Sequence, residues 1–119
     1  MSNLTVTNVN GQVDLEGRTK AWCNFNGTGS ISTRDSFNIS SLVDITTGEY
    51  SVNFTDSFSA ADYSVSGAAG SRTTASGFTL EAPSRQAPTT GDIRVSCITH
   101  TGTITDSDTV SLAIFGDLV

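Results

Sequence analysis

The sequence predicts an all-β fold, an antiparallel β-sandwich with jelly-roll-like or Greek-key connections, and three observations carry that prediction. Short segments alternate apolar and polar residues, as where Tyr50, Val52 and Phe54 interleave with Ser51 and Asn53. Turn-forming clusters separate these segments, as at Asn26-Gly27-Thr28-Gly29 and Thr46-Thr47-Gly48. Nowhere do apolar residues recur at the helical period, so a helical layer is not expected.

The composition agrees. A chain of 119 residues supports one domain that buries about 65% of its unfolded surface. Charged residues make up 15%, below the usual ~25%, so Ser, Thr, Asn and Gly must supply most of the polar surface. These residues favour strands and turns over helices. Twelve acidic residues against 6 basic ones give a net charge of -6, which opposes long-range attraction to nucleic acid or to an anionic membrane. There is no apolar run of membrane-spanning length and no signal-type N-terminus, so membrane insertion is not expected and folding in a cytosol is. In that reducing setting, Cys23 and Cys97 are expected as buried thiols, although both sit on the apolar sides of their strands and could meet in the core.

Residues 1–20 carry two brief alternations, Leu4/Val6 and Val13/Leu15, around Asn10-Gly11. A hairpin of that size cannot stabilise itself, so this segment is read as an attachment arm and residues 21–119 as the sandwich domain. The first clear strand is Ala21 to Asn26. Ala21, Cys23 and Phe25 share one face, and Trp22, Asn24 and Asn26 the other. Trp22 is large and apolar on the face opposite the small apolar trio, so a second cover is expected there, from another sheet or another subunit.

Ile31 begins a further extended segment, in which Phe37 and Ile39 alternate with Ser36, Asn38 and Ser40. Leu42, Val43 and Ile45 lead through Thr46-Thr47-Gly48 into Tyr50, Val52 and Phe54, a hairpin with one wet face. Tyr63/Val65 and Phe78/Leu80 mark short strands. Residues 68–77 and 82–92, low in apolar content and holding both prolines, read as exposed loops that contribute nothing to the core. Ile93, Val95 and Cys97 form the next strand, and a loop follows at 99–107. Thr109 to Phe115 closes the domain, with Val110, Leu112 and Ile114 on one face and Ala113 and Phe115 on the other. The first and last strands should therefore be central or intersubunit, with Trp22, Asn24, Ala113 and Phe115 as the candidate subunit contact.

No catalytic constellation emerges. The one histidine, His100, sits in a predicted turn, and the spacings of serine hydrolases, zinc proteases and redox CxxC sites are missing. Asp106 and Asp108 are two residues apart and read as solvated loop acids, too few for calcium, and a glycosidase's opposed carboxylate geometry is not something their spacing shows. No enzyme activity, metal or cofactor is expected. Asn3, Asn26, Asn38 and Asn53 begin Asn-x-Ser/Thr triplets, read as chance in so hydroxyl-rich a chain. What remains is recognition by loops. Tyr63, Arg72, Arg85 and Gln86 offer a stacking surface and hydrogen-bond donors of the kind a glycan site uses.

Five stretches, AWCNFNGTG (21–29), RDSFNISS (34–41), TGEYSVNF (47–54), ADYSVSG (61–67) and SDTVSLAIFG (107–116), together resemble the C-terminal β-domain of bacteriophage tail-fibre proteins of the marine and cyanobacterial type. Their order and spacing, rather than any one of them, make the likeness. The resemblance implies a virion-surface domain that assembles as a homotrimer and binds a host-surface receptor, often a glycan. Such domains usually end a much longer fibre, whereas here the domain nearly fills the chain. That keeps open a second expectation, a capsid decoration or tail adaptor attached to other virion proteins through residues 1–20.

Overall fold

The structure, a computed structural model, describes residues 18–75 and 77–119. Among them are eight strands and no helix: β1 (Ala21–Asn26), β2 (Ser32–Phe37), β3 (Ile39–Thr46), β4 (Glu49–Phe54), β5 (Ser64–Gly70), β6 (Thr79–Glu81), β7 (Asp92–Ile98) and β8 (Thr109–Phe115). They form two four-stranded antiparallel sheets, ordered β2-β1-β8-β5 (sheet A) and β3-β4-β7-β6 (sheet B), an arrangement consistent with a β-sandwich. The first and last strands are the two central strands of sheet A, as the apolar content of both their faces required.

The alternation read from the sequence builds the core directly. Sheet A contributes Ala21, Cys23, Phe25, Val110, Leu112 and Ile114, and sheet B contributes Tyr50, Val52, Phe54, Ile93, Val95 and Cys97, all buried. Phe58, from the β4–β5 connection, completes the cluster. Each of the larger side chains contributes about 1.5–3 kcal/mol by leaving water. Phe25 and Tyr50 meet edge to face across the sandwich, with centroids 5.2 Å apart at 81°. Cys23 and Cys97 are buried free thiols.

Residues 36–40 depart from expectation. Their alternation reads as one strand, but Asn38 adopts a left-handed φ of 58° and ends β2, and β3 begins in the other sheet. Asn38 suits this corner because its amide is used three times: Nδ2 donates to Lys20 O (3.2 Å) and Asp56 O (3.1 Å), and Oδ1 accepts from Asp56 N (2.7 Å). Phe37 and Ile39 consequently serve different sheets. Ile39 packs on the core, while Phe37 is left 47% exposed.

The two loops also differ from expectation. Residues 68–70 belong to β5, and Ala69 packs against the core. Within 82–91, Ala82 packs on the core and Ser84 is buried. Ser84 N donates to Arg94 O (2.9 Å), prolonging the β6–β7 pairing, and the Ser84 and Ser96 hydroxyls bond to each other. Low apolar content hid this because the burial is polar: each hydroxyl satisfies the other.

Lys20 and Val119 are fixed at the same end of the sandwich. Lys20 N donates to Ile114 O (2.9 Å) and Lys20 Nζ to Gly116 O (2.6 Å), while Val119 N donates to Ser57 O (3.1 Å). The residues of the expected arm before Arg18 lie outside the described residues. At the opposite end lie the β1–β2 and β3–β4 turns, residues 71–75 and the β7–β8 connection.

Candidate functional site

Two surfaces concentrate unusual features, and both lie on sheet A. Its outer face should be polar if water covers it. Along the half nearer the chain ends it is not. Register places Trp22 opposite Phe37 on one side and Ala113 on the other, with Ser66 beyond Ala113. Phe115, two residues on, shares that outer face. Trp22, Ala113 and Phe115 are each only half-buried, and Phe37 stands out further. A shallow depression of about 490 Å³ runs beside Trp22 over Asn24, Ser66, Ala68, Ser111 and Ala113. The four residues singled out as a subunit contact thus lie on one face. Phe37 joins them, and it was missed because its alternation with Ile39 pointed it inward.

Asn24 belongs to the other half of that face, which is polar. One register step from Trp22 it faces Ser111 and Asp35, and its Oδ1 accepts from Arg34 Nη1 (3.2 Å). Arg34 reaches across β1, and its Nη2 donates to Asp108 O (2.6 Å). On the far side of β8, Asp108 holds Ser71 and Arg72, which follow β5. Its two carboxylate oxygens each lie 3.1 Å from Arg72 N, and the Thr109 and Ser71 hydroxyls donate to it at 3.0 and 3.4 Å. The Arg72 backbone N–H first, then these hydroxyls and the Arg34 charge, keep the Asp108 carboxyl below the usual carboxylate range. Ser71 Oγ accepts from Thr73 N and Thr74 N, both at 3.2 Å, so residues 71–74 form a closed turn. Arg72 leaves that turn exposed, with Nε donating to Thr109 Oγ1 (3.2 Å).

The proposed glycan-binding residues are not brought together. Tyr63 precedes β5 and Arg72 follows it, so the seven-residue strand sets them roughly 20 Å apart at ~3.3 Å per residue. Tyr63 is structural: its ring packs on Phe54 and Phe58, with centroids 5.6 and 4.7 Å away, and its hydroxyl lies within 2.8 Å of Thr89 O and 2.9 Å of Asp92 O. Burial, then the Asp92 charge, pushes that phenol up to about 12. Arg85 lies at sheet B instead. It has a left-handed φ of 59°, and its Nε is 3.6 Å from the buried Glu49 carboxylate, which Arg94 Nη1 approaches to 3.8 Å. Gln86 is exposed on the same segment.

Of the other residues considered, His100 is exposed in the turn closed by Gly102 N donating to Thr99 O (2.9 Å). Asp106 and Asp108 have separate duties, because Asp106 Oδ1 accepts from Gly48 N (2.7 Å) and from the Tyr50 hydroxyl (3.1 Å). Among the described residues, no group of three or more His, Cys, Asp or Glu side chains is placed to hold a metal ion, and no helix is long and apolar enough to cross a membrane. Comparison with family models, curated proteins and solved structures finds no match to this chain.

Proposed function

We propose that this protein is a virion-surface attachment module of the phage tail-fibre-tip type that its sequence resembles, a homotrimer that binds a glycan on the host surface. The observation that carries the reading is the apolar half of the sheet A outer face, where Phe37 is 47% exposed beside Trp22, Ala113 and Phe115. Aromatic residues clustered on the outside of a sheet, with polar residues around them, have the composition of a protein–protein contact core. In the trimer, three copies of this face meet about the axis. The strand order favours Greek-key over jelly-roll connections, because β5, β6 and β7 follow one another around the sandwich and β4 returns beside β7.

The test has two parts. Light scattering of the purified protein should give three times the protomer mass, and Phe37→Ser combined with Trp22→Ser should give a folded monomer. Labelled wild-type trimer should then bind host cells. A protein that is monomeric at every concentration sinks the assembly claim. A trimer incorporated into particles that binds no host cell is instead a decoration or adaptor.

A further inference from the structure

We infer that the receptor surface is the end of the sandwich opposite Lys20 and Val119, and that Arg72 and Arg34 there engage an anionic group on the glycan, a uronic acid carboxylate or a sugar phosphate. The inference rests on the attachment reading above and adds a place and a ligand chemistry. Lys20 and Val119 are both tied in at one end of the sandwich, and the two arginines stand at the other.

At that far end two guanidinium groups converge on Asp108 and Thr109 from opposite sides of β8. Arg34 arrives from β2 across Asn24, and Arg72 from the turn after β5. Both are anchored before any ligand arrives, which lowers the conformational cost of binding. Arg72 uses only Nε, on Thr109, and among the described residues its two terminal nitrogens make no bond. A planar pair of N–H donors held at one edge and free at the other matches a carboxylate or phosphate in bidentate geometry. The carboxylate of Asp108 does not occupy that edge, since it is spent on the Arg72 backbone N–H and the hydroxyls of Thr109 and Ser71. Because the net charge of the chain is -6, attraction of an acidic glycan must come from this local pair rather than from the whole molecule.

The experiment titrates the full-length protein with an oligogalacturonide, a phosphorylated mannose oligosaccharide and a neutral dextran of equal length, and in parallel with intact host cells. One acidic probe should bind and dextran should not, the carboxylate and phosphate arms identifying which anion is read. Arg72→Ala should weaken binding to the probe and to cells at least tenfold. Arg72→Lys should recover part of the loss, and Arg85→Ala, on sheet B, should change nothing. Circular dichroism and unfolding of each variant establish that the fold is kept. Equal binding of dextran, or cell binding that survives Arg72→Ala, overturns the inference and leaves the attachment reading standing. Failure to bind probes and cells alike defeats both.

Discussion

The Tyr50 hydroxyl passes through the far end of the core and lies 3.1 Å from Asp106 Oδ1 and 3.0 Å from Gly27 O. One phenol thus joins β4 of sheet B to the turn after β1 in sheet A and to the β7–β8 connection. The same carboxylate oxygen accepts from Gly48 N (2.7 Å), a glycine at φ 72° in the β3–β4 turn. Three connections of the far end are therefore fixed by one Tyr and one Asp.

The hydroxyl has one proton to share between Asp106 Oδ1 and Gly27 O, and removing it leaves that buried pair without its donor, so Tyr50→Phe should cost about 1–3 kcal/mol and lower the melting temperature. Gly27→Ala should cost more, because its methyl would stand 2.5 Å from Tyr50 Cζ, in the ring itself. Thermal unfolding of both variants checks the order. A Gly27→Ala protein as stable as wild type would show that the two groups do not share this space.

Asn38 gives the second prediction. At φ 58° a β-branched or alanine side chain is strained, and the three amide bonds to Lys20 and Asp56 would also be lost. Asn38→Ala should destabilise by roughly 2–4 kcal/mol, adding strain of ~1–3 kcal/mol to the lost bonds. Asn38→Gly loses the bonds without the strain and should cost less. Denaturant midpoints decide it, and the reverse order would mean that the left-handed corner is not what matters.

That corner also shows where the sequence stopped being readable. Strands such as 49–54, 92–98 and 109–115 were legible because one residue in two must be apolar to face a core, and that pattern is local. The break at Asn38 leaves the alternation of Phe37 and Ile39 intact, so no local signal reports that they serve different sheets. The cover that segment 82–91 places on sheet B was hidden for another reason: it is made of Ser84, Ser96 and the charges near Glu49, which read as solvent-exposed. On the candidate site, Trp22, Ala113 and Phe115 stood out as large or apolar groups on the wrong face. The meeting of Arg34 and Arg72 at Asp108 did not, since residues 34, 72 and 108 meet only once β2, β5 and β8 have paired.

Glu49 provides the third test. Its side chain is only 4% exposed, on the outer side of sheet B, with Arg94 Nη1 at 3.8 Å and Arg85 Nε at 3.6 Å. Removing the cation of a buried pair leaves an uncompensated charge, which typically costs ~3–5 kcal/mol. Arg94→Ala should approach the lower end of that range, because Arg94 is the better buried of the two partners. Arg85, whose side chain is 60% exposed, is screened by water, so Arg85→Ala should cost under about 1 kcal/mol. Replacing Glu49 by Gln in the Arg94→Ala background should restore part of the loss. No restoration would show that packing rather than charge holds segment 82–91 down.

The last prediction concerns alkaline pH. Burial pushes the thiols of Cys23 and Cys97 from 9.0 up to about 12, the Asp106 charge adding to the effect at Cys97, and Tyr63 moves from 10.0 to about 12. Each of these acids is neutral when protonated, and the folded state keeps its proton longer than the unfolded one. Below pH ~9 both states hold these protons, and stability does not depend on them. Between pH ~9 and ~12 the unfolded chain gives them up first, so it binds fewer protons and stability falls as pH rises. Urea midpoints should therefore be level from about pH 7 to 8.5 and drop steadily above it. Cys23→Ala, although less stable at pH 7, should show a shallower drop, because one of the coupled protons is gone. In the native protein both thiols should also resist a disulfide reagent at pH 8 until urea is added, since only the thiolate reacts. A midpoint that stays level to pH 11, or rapid labelling of both thiols in the folded protein, would show that these side chains are open to water and that the sheets do not close over them.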